Sequence, residues 1–149
     1  MKIIAVPRIF AEKNKGRLLS MTDTLVVSII DSGVNPVFHK DAGNVLTVVF
    51  DDVHPTTVGT IKLCEGCVHM TPKQANEIID FIMDNIKGKK RIIVHCTAGI
   101  CRSGAVVDFL SRILPIDMEW FKTHNTHIIP NEWVRDLLWC QWMTKVENV

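Results

Sequence analysis

The residues best suited to chemistry lie together in "HCTAGICRSG", residues 95–104. Five residues separate Cys96 from Arg102, and Ser103 follows directly. A cysteine thiolate is a strong nucleophile, and an arginine guanidinium is a planar donor that matches the oxygens of a phosphoryl group. A serine hydroxyl at this position can donate a hydrogen bond to the sulfur when the sulfur is the leaving group. The pattern therefore indicates nucleophilic chemistry on an anionic group.

The loop between Cys96 and Arg102 is short and follows a run of β-branched residues. A connection of this kind between a strand and a helix can point several backbone N–H groups at one centre, where the helix dipole favours an anion. Gly99 permits backbone conformations that other residues resist. An isolated cysteine in such a turn is more often a buried structural residue. The spacing to Arg102 and Ser103 favours instead a reactive Cys96 in its thiolate form.

Four short apolar runs are predicted to be the strands that position this loop. They are rich in β-branched residues and almost continuous in hydrophobicity, which is typical of strands covered on both faces of a sheet. The runs are "KIIAV" (2–6), "TLVVSII" (24–30), "NVLTVVF" (44–50) and "RIIVHC" (91–96). The last of these strands therefore ends at the candidate nucleophile.

Three helices are predicted from residues that start or stop helices. The pattern Thr-Pro-x-Gln at 71–74 combines an N-cap, a proline at the first helical position and a capping-box partner, and it precedes a helix over 73–87 that Gly88 follows. A second helix begins within "RSGAVVDFLSRIL", 102–114, and a proline stops it. A third begins after Asn131, which is its predicted N-cap residue.

Strands that alternate with helices predict an α/β fold with a central, mostly parallel sheet flanked by helices, in a single domain over residues 1–149. The active crevice of such a sheet lies beyond the carboxyl ends of the strands, where Cys96 is expected. The 17 basic and 16 acidic residues give a net charge of +1. This balance argues against a general nucleic-acid or membrane-surface binder, so any basic site is expected to be local.

The cysteine content and the lack of long apolar segments indicate the cellular compartment in which the protein is expected. The first apolar run is too short for a signal peptide, and no segment approaches the ~20 apolar residues of a membrane span. The five cysteines are an odd number in a chain of ordinary size. We therefore expect a cytoplasmic, reducing setting, in which clustered cysteines are more often reactive or metal-binding than paired in structural disulfides.

The segment "VHCTAGICRSGAV" resembles the active-site signature of the cysteine-dependent protein tyrosine phosphatase superfamily, in its compact dual-specificity and microbial form. "VSIID" resembles the second strand region of those domains, and "ANEIIDFIMDNIKGKKRIIVHC" resembles the helix and strand that lead into the loop. "IIPNEWVRDLL" resembles the start of their last helix. These segments span most of the chain, and the resemblance implies a dual-specificity-phosphatase-like fold.

The resemblance implies that Cys96 attacks a phosphomonoester and that water hydrolyses the phosphocysteine intermediate, without a metal or another cofactor. The Arg102 guanidinium and the loop amides would bind the phosphate, and Ser103 would donate to the sulfur. The amides belong to Thr97, Ala98, Gly99, Ile100, Cys101 and Arg102. The expected partner is a phosphorylated protein or peptide substrate; we expect a monomer with no nucleic-acid and no membrane partner.

The leaving oxygen needs a proton donor, which in the family that the chain resembles is an aspartate upstream of the nucleophile. Asp51 and Asp52 follow the third predicted strand, at the sheet edge expected for Cys96. We favour Asp52 as the acid, because in the microbial phosphatases that the segment resembles the second of these two positions carries the acid. Asp51 remains the alternative. His54 is a weaker candidate, and a solvated Asp-Asp pair in a turn is the alternative without chemistry.

Two polar residues are expected to support the site without reacting. His95 alternates with Cys96 along the strand, so its side chain is expected on the opposite face of the sheet, from where it would orient the loop through hydrogen bonds. Asn131 is predicted to cap the last helix. The resemblance to the phosphatases implies a second possible role for Asn131, a supporting contact with the catalytic residues. This alternative stays open.

The remaining cysteines leave two hypotheses open. Cys101 lies inside the loop, where the low-molecular-weight phosphatases also carry a second cysteine, and a reversible disulfide with Cys96 could protect the nucleophile from over-oxidation. Cys64, Cys67 and His69 have the spacing of half a zinc site. Since a structural zinc needs four ligands, we expect no metal, and a labile redox pair or plain loop cysteines are the alternatives.

Hydrolysis of phosphotyrosine is the leading functional hypothesis, with phosphoserine and phosphothreonine left open. A phosphate-binding module without turnover is disfavoured because Cys96, Arg102 and Ser103 are all present. A rhodanese-like or arsenate-reducing enzyme uses a similar loop, but the Ser103 hydroxyl and the upstream aspartates suit phosphoester cleavage better. A phosphatase acting on RNA 5′ ends or on a lipid stays an alternative, because the depth of the pocket decides between these substrates.

Overall fold

The computed structural model describes residues 1–39, 42–54 and 66–148. Four strands in these residues form one sheet in which every neighbouring pair is parallel. The strands are β1 (Lys2–Pro7), β2 (Thr24–Ile30), β3 (Val45–Val49) and β4 (Arg91–Cys96), and their order across the sheet is β1-β4-β2-β3. The prediction of an α/β fold with a central parallel sheet is confirmed.

Helices cover both faces of the sheet, as the continuous hydrophobicity of its strands predicts. Every residue of β2 is buried. The short helices α1 (Arg8–Lys13) and α2 (Lys15–Ser20) pack on one face of the sheet. On the other face lie α3 (Pro72–Asn85) and α4 (Arg102–Ile113), and α6 (Glu132–Glu147) packs against these two helices. Helix α5 (Met118–His124) lies beside β1. None of the helices in this part of the chain is long and apolar enough to cross a membrane.

The three helices predicted from the sequence are present. Thr71 Oγ1 accepts from Gln74 N, and the Gln74 side chain accepts from Thr71 N, so the capping box of α3 is complete. Helix α3 ends at Asn85, two residues before the predicted end, and Gly88 has a φ of 79° in the turn toward β4. Asn131 is the N-cap residue of α6. Local capping chemistry therefore predicted where α3 and α6 begin.

Three further helices, α1, α2 and α5, were not predicted. Each has six or seven residues, which is too short for a helical period to stand out in the sequence. Isolated helices of this length are marginal in water. Ala11, Leu18 and Phe121 are buried at their centres, so packing on the sheet stabilises these helices.

The free side of the edge strand β1 is covered by side chains that follow α5. Asn125 Oδ1 accepts from Ala5 N at 3.0 Å, and Asn125 Nδ2 donates to Ile3 O at 2.9 Å. His127 Nε2 lies 3.0 Å from Ala5 O. These side chains replace the backbone partner that an edge strand lacks, which protects β1 from pairing with another chain.

Candidate active site

Cys96 is the last residue of β4, at the carboxyl edge of the sheet and 2% exposed. Strand β4 lies between β1 and β2, and Cys96 pairs in register with Pro7. Arg102, after the five intervening residues, begins α4. The expected position of the cysteine, between the end of a central strand and the start of a helix, is therefore the observed one.

Two groups from the loop and from α4 hydrogen-bond the sulfur of Cys96. Gly99 N donates to Sγ at 3.2 Å, and Ser103 Oγ lies 3.1 Å from Sγ. Donors aimed at a sulfur stabilise its thiolate form more than its thiol form. The structure thus brings Ser103 to the sulfur, as the sequence predicted.

Gly99 adopts a backbone conformation and a packing position that no other residue could share. Its φ is 74°, and a Cβ built on it would lie 2.4 Å from Val6 C and 2.5 Å from Pro7 N. The loop therefore packs directly on the backbone at the end of β1. A hydrogen bond of 3.1 Å from Arg8 N to Thr97 O extends this contact.

Arg102 is buried at the start of α4, with a relative exposure of 4%. Its Nη1 donates to Asp31 Oδ1 at 2.5 Å and to Phe50 O at 2.9 Å, and its Nη2 donates to Thr97 Oγ1 at 3.2 Å. Acceptors from the ends of β2 and β3 and from the loop thus hold the guanidinium. An arginine fixed in this way is ready to bind an anion without reorganisation.

Asp31 is a site residue that the sequence motifs did not indicate. It follows β2, and besides Arg102 it binds the hydroxyl of Thr97, whose Oγ1 donates to Asp31 Oδ2 at 2.9 Å. The signal that could have identified it is its position, because a residue that follows β2 meets the residues that follow β4 at the same edge of a parallel sheet.

The other loop residues are anchored through their backbone. Ile100 O accepts from Ile129 N at 3.0 Å, and Cys101 O accepts from Asn131 N at 2.9 Å. Thr97 and Ala98 are exposed at the surface of the loop, whereas Gly99 is buried. The loop is therefore held between the end of β1 and the segment that precedes α6.

Asp51 is fully engaged as a hydrogen-bond acceptor. Its Oδ1 accepts from Ser32 N at 2.8 Å, and its Oδ2 accepts from Ser32 Oγ at 2.6 Å and from Val68 N at 2.7 Å. Burial raises the pKa of Asp51, but these hydrogen bonds and the charge of Arg102 outweigh it, so that the net pKa lies below its ordinary value. An ionised, fully bonded carboxylate is a poor proton donor, so the geometry disfavours Asp51 as the acid.

Asp52 is exposed and lies beside the loop between Cys96 and Arg102. Its Oδ1 accepts from Asn131 Nδ2 at 2.8 Å. The pKa of Cys101 is raised by burial and then by the charge of Asp52, with a hydrogen bond between the two side chains. Of the two aspartates, Asp52 is therefore the one with a carboxyl group at the loop.

Hydrogen bonds of Asn131 join the loop, Asp52 and α6. Its Oδ1 accepts from Val134 N at 3.1 Å as a helix cap, its backbone N donates to Cys101 O, and its Nδ2 donates to Asp52 and, at 3.3 Å, to Val53 O. The predicted helix cap is confirmed, and the same side chain also contacts Asp52, one of the two candidate acids.

His95 is buried on the face of the sheet opposite to Cys96. Its ring lies 6.4 Å from the ring of Phe38 on the α1–α2 side, and Nε2 lies 2.5 Å from Ser28 Oγ. Its Nδ1 lies 3.4 Å from Cys96 O. Burial lowers the pKa of His95 to about 4, so the ring is neutral at physiological pH. The predicted position on the opposite face of the sheet is thus observed, and that His95 orients the loop stays a prediction.

The remaining candidate groups are His54 and the other cysteines. The ring of His54, the weaker proton-donor candidate, packs edge-to-face on Trp133, with 6.1 Å between ring centroids. Cys64 lies outside the described residues, and Cys67 is disulfide-bonded. In the described ranges 1–39, 42–54 and 66–148, no three His, Cys, Asp or Glu side chains are grouped to hold a metal ion. Cys101 and Cys140 are free thiols, as is Cys96.

Neither a scan against protein-family models nor a search of curated proteins found a match for this chain. Its activity must therefore be inferred from the site geometry. A cysteine sulfur that receives hydrogen bonds, a fixed guanidinium and a carboxyl group meet at one loop, and together they can perform nucleophilic displacement on a phosphoryl group.

Proposed function

We propose that this chain is a cysteine-dependent phosphatase of the dual-specificity type that hydrolyses phosphotyrosine in proteins, with phosphoserine and phosphothreonine as secondary substrates. It would act as a monomer in the cytoplasm. One observation carries the proposal: the Cys96 sulfur receives the Gly99 N–H, while Asp31 holds Arg102 at the other end of the same loop. This pairing supplies a nucleophile and an oxyanion site together.

In the first step, the Cys96 thiolate attacks phosphorus, and a sulfur–phosphorus bond forms as the bond to the ester oxygen breaks. The leaving oxygen takes a proton from Asp52 and departs as a phenol or an alcohol. The loop amides and the Arg102 guanidinium bind the other phosphoryl oxygens, whose charge they neutralise in the transition state. The products of this step are the dephosphorylated substrate and phosphocysteine.

In the second step, water attacks the phosphocysteine, and the Asp52 carboxylate takes a proton from this water. The sulfur–phosphorus bond breaks, inorganic phosphate leaves and the thiolate re-forms. The Ser103 hydroxyl, 3.1 Å from the sulfur, donates to the thiolate as it leaves. Asp52 is protonated again, so the cycle closes without a metal or a redox change.

The proposed site also supports regulation by oxidation. A peroxide converts the Cys96 thiolate to a sulfenic acid, and the Cys101 thiol then displaces water to form a Cys96–Cys101 disulfide, which a thiol reductant reverses. Because burial and Asp52 raise the pKa of Cys101, this bond should form faster as the pH rises. Peptide mapping of peroxide-treated protein tests it, and absence of the 96–101 bond at every pH contradicts it.

The proposed function is tested by phosphate release from a panel of phosphotyrosine, phosphoserine and phosphothreonine peptides, a 5′-phosphorylated RNA and a phosphoinositide. We expect the highest kcat/KM on phosphotyrosine, and a loss of about a thousandfold or more in Cys96→Ser, which still binds the peptide. Cys140→Ser, which removes an exposed free thiol on α6, is the matched control and retains turnover. Unchanged turnover in Cys96→Ser, or a preference for the RNA or the lipid, would overturn the proposal.

A further inference from the structure

A cavity with cationic and aromatic walls lies at the amino ends of β1 and β4, away from the catalytic loop. Its volume is about 290 Å³. Ile4 and Ile93 form an apolar part of its lining. The other residues around it are Lys2, Arg91, Ile92 and Trp120.

A second cavity of about 190 Å³ adjoins the first and shares Arg91 and Ile93 with it. Its remaining walls come from α1, α2 and the residues that follow each of them: Phe10, Asn14, Arg17, Leu18 and Met21. Because the two cavities share Arg91 and Ile93, we treat them as one surface region between α2 and α5, which we call the α2–α5 groove.

The charges in the α2–α5 groove all have one sign. Lys2, Arg17 and Arg91 line it, and no carboxylate does so among the described residues. The ion pairs found within 1–39, 42–54 and 66–148 involve other cations. In a chain with a net charge of +1, this is a local concentration of positive charge. A partner with several carboxylates complements it.

Aromatic side chains stand at the two ends of the α2–α5 groove. Trp120 stacks on His124, with 3.9 Å between ring centroids, and Lys2 Nζ lies 5.4 Å from the centre of the indole. At the other end Phe10 is 39% exposed. Trp120 is half-buried. Accessible aromatic groups beside cations, over an apolar floor, are the composition of a protein-binding hot spot.

We propose that the α2–α5 groove docks an acidic peptide segment of a protein partner. Its carboxylates lie against Lys2, Arg17 and Arg91, and an apolar side chain of the segment lies over Ile4 and Ile93 beside Trp120. The concave floor between two helices fits a chain segment better than a flat lipid surface. This proposal does not rest on the phosphatase activity.

The docked segment leaves the catalytic loop open. Arg91 and Cys96 are the first and last residues of β4, and five steps along a strand span about 16 Å. A single protein can therefore occupy the groove with an acidic segment while another part of it reaches the loop.

The experiment measures fluorescence anisotropy of a fluorescein-labelled peptide, Asp-Glu-Asp-Leu-Asp-Glu-Phe-Asp-Glu, at an ionic strength of about 0.15 M, where charges more than about 8 Å apart are largely screened. We expect Lys2→Glu/Arg91→Glu to weaken binding by about tenfold or more, since it removes two attractions and adds two repulsions. Lys73→Glu/Lys87→Glu, at two exposed positions outside the groove, is the control with the same change of net charge. It should weaken binding by less than about twofold.

Two further measurements distinguish binding in the α2–α5 groove from a general effect of protein charge. Trp120→Ala keeps the net charge and should weaken binding by about tenfold, and a peptide with Asn and Gln in place of Asp and Glu should not bind. Saturating vanadate should leave peptide binding unchanged, and thermal unfolding verifies that each variant is folded. Equal weakening by the two charge-reversed pairs, or equal binding of the amide peptide, overturns the proposal. It is also overturned if phosphatidylserine vesicles bind through Lys2 and Arg91 while the peptide does not.

Discussion

Asp31 Oδ1 accepts a hydrogen bond from Arg102 Nη1, and the resulting ion pair joins the end of β2 to the first residue of α4. The Arg102 side chain is 5% exposed, whereas that of Asp31 is 35% exposed. A buried guanidinium without a partner costs free energy, so the carboxylate stabilises its placement before any substrate arrives. A residue that follows another strand therefore holds the guanidinium in place.

Asp31→Asn should lower kcat/KM by about 10- to 100-fold, because it removes a charge-assisted hydrogen bond but keeps the side-chain shape. The larger part of the loss should be in KM, since the guanidinium binds phosphate in the ground state too. Asp108→Asn is the matched control, because Asp108 pairs with Arg112 on the exposed side of α4. Equal kinetics for Asp31→Asn and the wild type would refute this role.

Asp52→Asn should lower kcat on phosphoserine peptides by about 100-fold or more, and should have a smaller effect on an aryl phosphate with a good leaving group. The variant has no carboxyl proton to give to the leaving oxygen, so an alkoxide, which is the poorer leaving group, suffers more than a phenoxide. Steady-state kinetics with both substrates measure these effects.

Asp51→Asn is the control for Asp52, one residue away. It should lower thermal stability, because Ser32 and Val68 lose a charged acceptor. The ratio of rates on aryl and alkyl phosphates should stay near that of the wild type. If Asp51→Asn changes this ratio and Asp52→Asn does not, the assignment of the acid is reversed.

Gly99→Ala should destabilise the protein and abolish most activity, because the new Cβ would lie 2.4 Å from Val6 C. Gly33→Ala is a matched control, since Gly33 has nearly the same φ, 75°, and a Cβ added to it would meet nothing within 4 Å. The conformational cost of about 1–2 kcal/mol is common to both. The further decrease in the free energy of unfolding of Gly99→Ala, relative to Gly33→Ala, measures the contact with β1. Equal free energies of unfolding for the two variants would contradict that contact.

The stability of the protein should depend on pH through His95. Burial lowers its pKa from 6.5 to about 4, so the unfolded chain binds this proton more readily than the folded protein does. The stabilisation is complete above pH 6.5 and is lost as the pH falls toward 4, with a size of about 3 kcal/mol. Urea unfolding of His95→Gln should show a smaller loss of unfolding free energy than the wild type over this pH range. His124→Gln, at an exposed position, should lose as much unfolding free energy as the wild type. If His95→Gln also loses as much as the wild type, His95 does not link stability to pH.

The part of the site that the sequence predicted is local. One continuous segment of strand, loop and helix carries Cys96, Arg102 and Ser103. Their spacing in the sequence is therefore enough to predict their relative positions. Asp31 is 71 residues from Arg102, and only the pairing of β2 with β4 brings the two together. The distinction between Asp51 and Asp52 likewise depends on contacts with distant residues that the spacing does not contain.

The same division applies to the fold. Continuous apolar runs predicted the four strands, because a parallel sheet buries both faces of each strand. Capping residues such as Thr71 and Asn131 predicted where the long helices begin. Helices α1, α2 and α5 depend on packing against the sheet, which local sequence preference does not report.

The proposed mechanism requires Cys96 to carry the phosphoryl group during turnover. Acid-quenching the enzyme while it hydrolyses a phosphotyrosine peptide, followed by mass spectrometry, locates the residue that holds this group. We expect phosphocysteine at position 96 in the wild type and in Cys140→Ser, and none in Cys96→Ser. A phosphoryl group on another residue, or turnover by Cys96→Ser at the wild-type rate, would show that the mechanism is wrong.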